Sequence, residues 1–176
     1  LAFLGRISPE KRVDRAINIA ERCGLPLRIA AKVDPADQDY FNDHIRRLID
    51  KPHVDFIGEI SDDQKSKFLS GAIALIVPID WPEPFGLVMI EAMACGTPVI
   101  AYNRGAAPEI VEDGVTGFVV EDETSAIAAV KNISMLSRNV IRERFEQRFT
   151  ATRMASDYLK AYERVGAQST TKPKPR

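Results

Sequence analysis

The 176-residue chain contains two cysteines, two histidines and one tryptophan. Cys23 and Cys95 lie far apart and in no metal-ligand spacing. That excludes a disulfide framework and points to a reducing, cytoplasmic setting. Charge of one sign is missing too, since 24 Lys and Arg nearly balance 25 Asp and Glu for a net charge of -1. Global charge therefore predicts neither nucleic-acid binding nor attraction to a membrane surface, and any anion must be held by local groups. No apolar run approaches the roughly 18 residues of a membrane span. The longest, Ala72 to Ile79, has the length of a strand. Neither a Walker A loop nor a GxGxxG fingerprint occurs, which argues against P-loop ATPases and ordinary NAD-binding dehydrogenases. The residues given carry no signal-peptide pattern, and the chain opens without Met on a strand-like segment, so it reads as a piece of a larger protein.

What is present is the composition of a globular domain, 45% hydrophobic and 28% charged. This excludes disorder, collagen and coiled coil. Apolar runs of strand type alternate with runs of helical period. Strands are expected at 1–4, 27–31, 54–57, 73–78, 97–102 and 118–120. Helices are expected at 9–22, with Ser8 as N-cap and Pro9 at the first helical position, and at 37–49. Another follows a capping box at Ser61 to Gln64, and further ones fall at 86–94, near Pro108, and at 124–133, 137–149 and 154–165. The Ser/Thr/Lys/Pro-rich tail, 166–176, reads as disordered. The alternation implies a Rossmann-like, doubly wound α/β domain over residues 1–165 with a parallel sheet. In such sheets ligands bind beyond the carboxyl ends of the strands, so the loops after strands carry the chemistry.

Two of those loops stand out. Gly5 to Arg12 presents a glycine turn and the cations Arg6, Lys11 and Arg12 directly after the first strand. Cations at a helix N-terminus oppose the macrodipole, so structure alone does not call for them, and Arg with Lys suits a diphosphate. In the second loop, Pro82 and Pro84 bracket Glu83 and favour extended backbone. Gly86, Leu87 and Val88 then offer the free N–H groups of a first helical turn, an anion site. Glu91 follows about one and a half turns on. Its helix is apolar nearly all round, so Glu91 is expected to be buried and to need a partner. Carboxylates beside an anion site make chemical sense as acceptors for sugar hydroxyls.

Glu83-Pro-Phe-Gly-Leu-Val-Met-Ile-Glu91 resembles the E-x7-E signature of retaining GT-B glycosyltransferases, in the large family that includes sucrose synthases. Ala92 to Ile100, Pro108 to Gly117, Val54 to Gly58 and the Gly5-Arg6/Lys11 set are family-like as well, so the resemblance runs from Ala2 to about Val165. It implies the C-terminal half of a GT-B fold, which binds a nucleoside-diphosphate sugar. By that resemblance Arg6 and Lys11 neutralise the diphosphate as the glycosidic bond breaks, and Glu83 sits near the transferred sugar. Phe85 and the amides of Gly86, Leu87 and Val88 line the phosphate site. Glu91 holds the ribose, and backbone at Ile57 and Gly58 meets the base. The resemblance also implies retention of configuration by front-face attack, and no metal or other cofactor. The partner would be an N-terminal acceptor-binding domain, absent here, so the isolated chain is expected to be inactive. Any membrane association would come through that domain.

The rival readings are a GT-B-like epimerase or phosphorylase, and a non-catalytic nucleotide-binding α/β module. The chain departs from the family pattern at Arg12, where glycine commonly follows the lysine, and at Ala31 to Asp34, where a glycine-rich turn is common. Asp37-Gln38-Asp39 is expected to open a helix and not to bind metal. Trp81 could stack on a ligand or pack on the sheet edge. Arg104, just after a strand, is a further candidate to reach a sugar or phosphate. Asp80 and Asp113 read as turn formers. The last helix is expected to expose part of the face carrying Met154, Tyr158 and Tyr162.

Overall fold

A computed structural model describes residues 1–169. Six parallel strands form one sheet: β1 (Ala2–Arg6), β2 (Leu27–Lys32), β3 (Val54–Gly58), β4 (Leu75–Val77), β5 (Val99–Tyr102) and β6 (Gly117–Val120). Their order is β3-β2-β1-β4-β5-β6, so the expected doubly wound sheet is present and its winding reverses between β1 and β4. The crevice beyond the carboxyl ends of those two strands is where such a sheet opens to a ligand.

The helices are α1 (Val13–Cys23), α2 (Gln38–Tyr40), α3 (Arg46–Ile49), α4 (Asp62–Ser70), α5 (Leu87–Ala94), α6 (Ala107–Ile110), α7 (Glu123–Asn132), α8 (Arg138–Arg148) and α9 (Ala151–Ser169). Period-2 alternation assigns each strand residue to one of two core layers. Phe3, Ile29, Ile76, Ile100 and Tyr102 pack with α1 and α7 on one face. Ala2, Leu75, Val77, Val99 and Ala101 pack with α4, α5 and α8 on the other. Burial on both faces explains why these strands read as continuous apolar runs.

Four expectations need correction. First, α1 begins at Val13 and not at Pro9. Residues 8–11 close a turn through Lys11 N–H donating to the Ser8 carbonyl at 3.1 Å. Arg12 then takes a left-handed φ of 51°, which α-helical geometry cannot include. That conformation costs an L-residue about 1–2 kcal/mol and explains why glycine suits the position. Second, the 37–49 helix is broken into a 3-10 turn (Pro35–Asp37), α2, a π segment (Phe41–Ile45) and α3. Third, α9 continues past Val165 to Ser169. The rest of the tail expected to be disordered, 170–176, lies outside the described residues. Fourth, α5 is not buried all round: Met89, Ala92 and Met93 are, but Leu87 is 63% exposed. α8 and the sheet cover one side of α5 and leave its first turn open to the crevice.

Candidate functional site

The loop that leads from β4 into α5 is shaped by two glycines, one of its own and one from the loop after β5. Gly86 takes a φ of 80°, and a Cβ there would fall 2.2 Å from Met89 Cε. The chain therefore turns sharply into α5, whose first turn carries no side-chain cap. Gly105, after β5, has a φ of 58°, and a Cβ on it would lie 2.3 Å from both the backbone N and O of Glu83. Next to it, Ala106 N–H donates to the Glu83 carbonyl at 2.8 Å. Glu83 is thus held from behind by a loop some twenty residues further along the chain.

Its side chain is held from the front. Glu83 Oε2 accepts from Lys11 Nζ at 2.6 Å and from Trp81 Nε1 at 3.1 Å. The Lys11 ammonium also sits 5.6 Å from the Trp81 ring centroid. Lys11 and Glu83 side chains are only 22% and 14% exposed. They face a cleft of about 340 Å³ lined by Gly5, Phe85, Gly86, Leu87 and Val88. Phe85 rests edge-on against Phe149, with ring centroids 6.4 Å apart.

A second cleft of about 310 Å³ adjoins the first and contains Arg6, Lys32, Glu59, Lys65 and Glu91. The two share Leu4, Gly5, Leu87 and Val88, the end of β1 and the first turn of α5. Glu91 is 35% exposed, not buried as expected, because it leaves the open side of α5. It accepts from Lys65 Nζ at 3.2 Å, and Lys65 also pairs with Asp62 at 2.9 Å. Hydrogen bonds to Asp62 and then Glu91 hold the Lys65 ammonium above the ordinary lysine range. Arg6 is 52% exposed and bonds Glu10 at 3.2 Å and Asp34 at 3.3 Å. Asp34 also pairs with Lys32 at 2.7 Å, and these hydrogen bonds, from Lys32 first, pull its carboxyl below the usual range.

The structure therefore gathers Lys11, Glu83, Phe85 and Gly86 in one cleft and Arg6 and Glu91 in the other, with Leu87 and Val88 between them. Ile57 and Gly58 line neither cleft; the bulged end of β3 brings Glu59 and Ile60 there instead. Trp81 is a hydrogen-bond donor to Glu83. Asp80 is more than a turn former, since Arg12 and Arg15 donate to it at 3.0 and 2.9 Å. Arg104 pairs with Asp80 at 3.9 Å and Glu121 at 3.8 Å and lines neither cleft. Asp113 accepts from Val119 N–H at 2.9 Å, as a turn former should. Asp37 precedes α2 at a helix start, and among the described residues no group of three or more His, Cys, Asp or Glu is gathered for a metal. No described helix is long and apolar enough to cross a membrane.

Sequence reasoning missed Lys65 and Gly105. Nothing near Lys65 marks it, because its partner Glu91 sits 26 residues away. Arg104-Gly105 announced a turn, but not what the turn would touch.

Comparison with known proteins places this arrangement. The family model for glycosyl transferases group 1 matches residues 1–151. A D-inositol 3-phosphate glycosyltransferase of Mycobacterium leprae is 37% identical over 126 residues, covering 68% of this chain and 29% of that protein. Sucrose-phosphate synthase from Thermosynechococcus elongatus superposes with a TM-score of 0.75 at 26% identity, over 95% of this chain and 46% of that one. Anabaena HepE, solved in complex with UDP-glucose, gives a TM-score of 0.71 at 25% identity, over 92% of this chain and 48% of that one. The chain thus spans less than half the length of each of these proteins. With the family match running through both loops of the site, the chain belongs to the glycosyl transferases group 1 family.

Proposed function

We propose that this chain supplies the donor site for transfer of a sugar from a nucleoside-diphosphate sugar to an acceptor, with retention of configuration. The observation that carries the reading is the pair of clefts sharing a floor of Gly5 and the first turn of α5. A diphosphate laid across that floor meets uncapped N–H groups at Gly86, Leu87 and Val88, a favourable anion site. Its two ends then fall on opposite sides, each with a carboxylate able to accept from hydroxyls. Glu91 takes the ribose and Glu83 the transferred sugar, and the base lies toward Glu59 and Ile60. HepE, to which the chain is similar, was solved in complex with UDP-glucose, which supports a nucleoside-diphosphate sugar as the class of donor.

In the reaction, the bond between the sugar's anomeric carbon and the phosphate oxygen breaks and a bond to the acceptor oxygen forms. The acceptor's proton passes to the departing diphosphate. Negative charge grows on that leaving group, and Arg6, Lys11 and the α5 amides are fixed where it grows, so electrostatic preorganisation is the main catalytic contribution. The acceptor would be bound by a second domain outside this chain.

A binding panel of UDP, GDP and ADP, read by calorimetry on the whole protein, tests the proposal. One base should bind selectively, and Arg6→Ala and Glu91→Ala should each weaken it. Absence of binding by all three would overturn the reading.

A further inference from the structure

The sharpest conformational oddity in the chain lies one residue from Lys11. Arg12 is the single non-glycine residue with a left-handed φ among the described residues. Strain of this kind persists only where surrounding contacts over-determine it. The contacts are specific. Asp14 takes Arg12 by a fork, Nε to Oδ1 at 3.0 Å and Nη2 to Oδ2 at 2.8 Å. The remaining nitrogen, Nη1, reaches Asp80 Oδ2 at 3.0 Å. Asp80 is drawn to the same loop by its backbone, its N–H donating to the Glu10 carbonyl at 2.8 Å. Arg15 adds a donor to Asp80 at 2.9 Å and another to the Pro78 carbonyl at 3.4 Å.

Such partly exposed ion pairs stabilise a fold little, so stability does not account for keeping a strained arginine here. Their geometry does. Arg12 adjoins Lys11, and Asp80 stands three residues before Glu83, so the bridge ties together the bases of the two loops whose tips meet as the Lys11–Glu83 pair. We infer that the Arg12–Asp80 bridge is a positioning strut that sets where Lys11 and Glu83 stand relative to a bound diphosphate. The inference rests on the donor-site reading and assigns roles to two residues which that reading leaves unused. Arg12 and Asp80 act through Lys11 and Glu83; neither needs to touch the ligand.

The test has two arms on the whole protein, applied to Arg12→Gly, Asp80→Asn and the double variant. In the first, no nucleotide is added. Lysines are tagged by 13C reductive methylation, Lys11 is assigned by its loss in Lys11→Arg, and the chemical shift of its methyl signal, which senses the Trp81 ring and Glu83 beside it, is followed. Both single variants should move the Lys11 signal toward that of a solvated lysine, and the double variant no further, since the two residues act as one unit. In the second arm, the nucleoside diphosphate should bind about tenfold more weakly, the loss of one charge-assisted hydrogen bond. The matching nucleoside should bind as before. Arg12→Gly removes the strain, so its melting temperature should stay at or above that of the parent, which separates positioning from folding. An unchanged Lys11 signal with unchanged diphosphate affinity in both single variants would overturn the strut. If the parent protein bound no nucleotide, the donor reading would fall, and the Lys11 chemical shift would still decide the strut.

Discussion

Lys11 Nζ donates to Glu83 Oε2 at 2.6 Å across 72 residues of chain, joining the loop after β1 to the loop after β4. Both side chains are mostly buried, so each group depends on the other for its charge balance. Lys11→Met should leave Glu83 with only the Trp81 donor and cost the fold about 1–3 kcal/mol. It should also weaken nucleoside-diphosphate binding by roughly ten- to a hundredfold, with Lys11→Arg recovering part of the loss. Urea titration and calorimetry on the same samples separate the two effects.

Glu91 behaves differently because it is partly solvated. Glu91→Ala should change stability by less than about 1 kcal/mol, as for other half-exposed ion pairs. Nucleoside affinity should drop about tenfold if the carboxylate accepts from ribose hydroxyls. Lys65→Met removes only the group that orients Glu91, so its effect on the nucleoside should be smaller. Equal affinities for parent and Glu91→Ala would remove the ribose role.

Two glycines offer a controlled comparison. Gly105 and Gly114 both have positive φ, at 58° and 71°, but a Cβ on Gly114 meets nothing within 4 Å. Gly114→Ala should therefore cost only the conformational penalty, about 1–2 kcal/mol. Gly105→Ala carries that penalty and also drives a methyl into the Glu83 backbone. It should be the more destabilising of the two by urea titration, and should weaken diphosphate binding where Gly114→Ala does not.

Acid should weaken the fold through carboxylates held below their ordinary range. Asp122 caps α7, and hydrogen bonds from the Ser125 N–H and then its hydroxyl lower its carboxyl. Asp80 is lowered too, with burial opposing and hydrogen bonds from Arg15 and Arg12 prevailing. A depressed folded value means that the folded state binds fewer protons than the unfolded one. The stabilisation is therefore complete above the ordinary Asp value of about 3.9 and is lost as pH falls through the folded value. Urea midpoints should hold from pH 7 to about 4.5 and decline below. In Asp122→Asn, which keeps a capping side chain, the decline should be shallower.

The order of elements, the parallel sheet and the loops at the carboxyl edge of its strands were legible in the residues themselves. Alternating strand and helix periods, the capping box at Ser61 and the proline-bracketed Glu83 before Gly86 are local patterns, and the structure reproduces each of them. So was the spacing of Glu83 and Glu91, because seven intervening residues of loop and helix set it. What the residues could not show are contacts between segments far apart in the chain. The covering of α5 on one side only left Glu91 half-exposed, and its partner Lys65 comes from a different helix. A left-handed Arg12, stabilised by Asp80 from another loop, moved the start of α1 from Pro9 to Val13. The register shift between β2 and β3 pairs Ile29 with Phe56 and Ala30 with Gly58, and no local pattern announces it. Local periodicity and turn chemistry depend on neighbours in the chain and can be read there. Burial, ion-pair partners and the close approach of Gly105 to Glu83 depend on which strands lie side by side, and only the assembled sheet decides that.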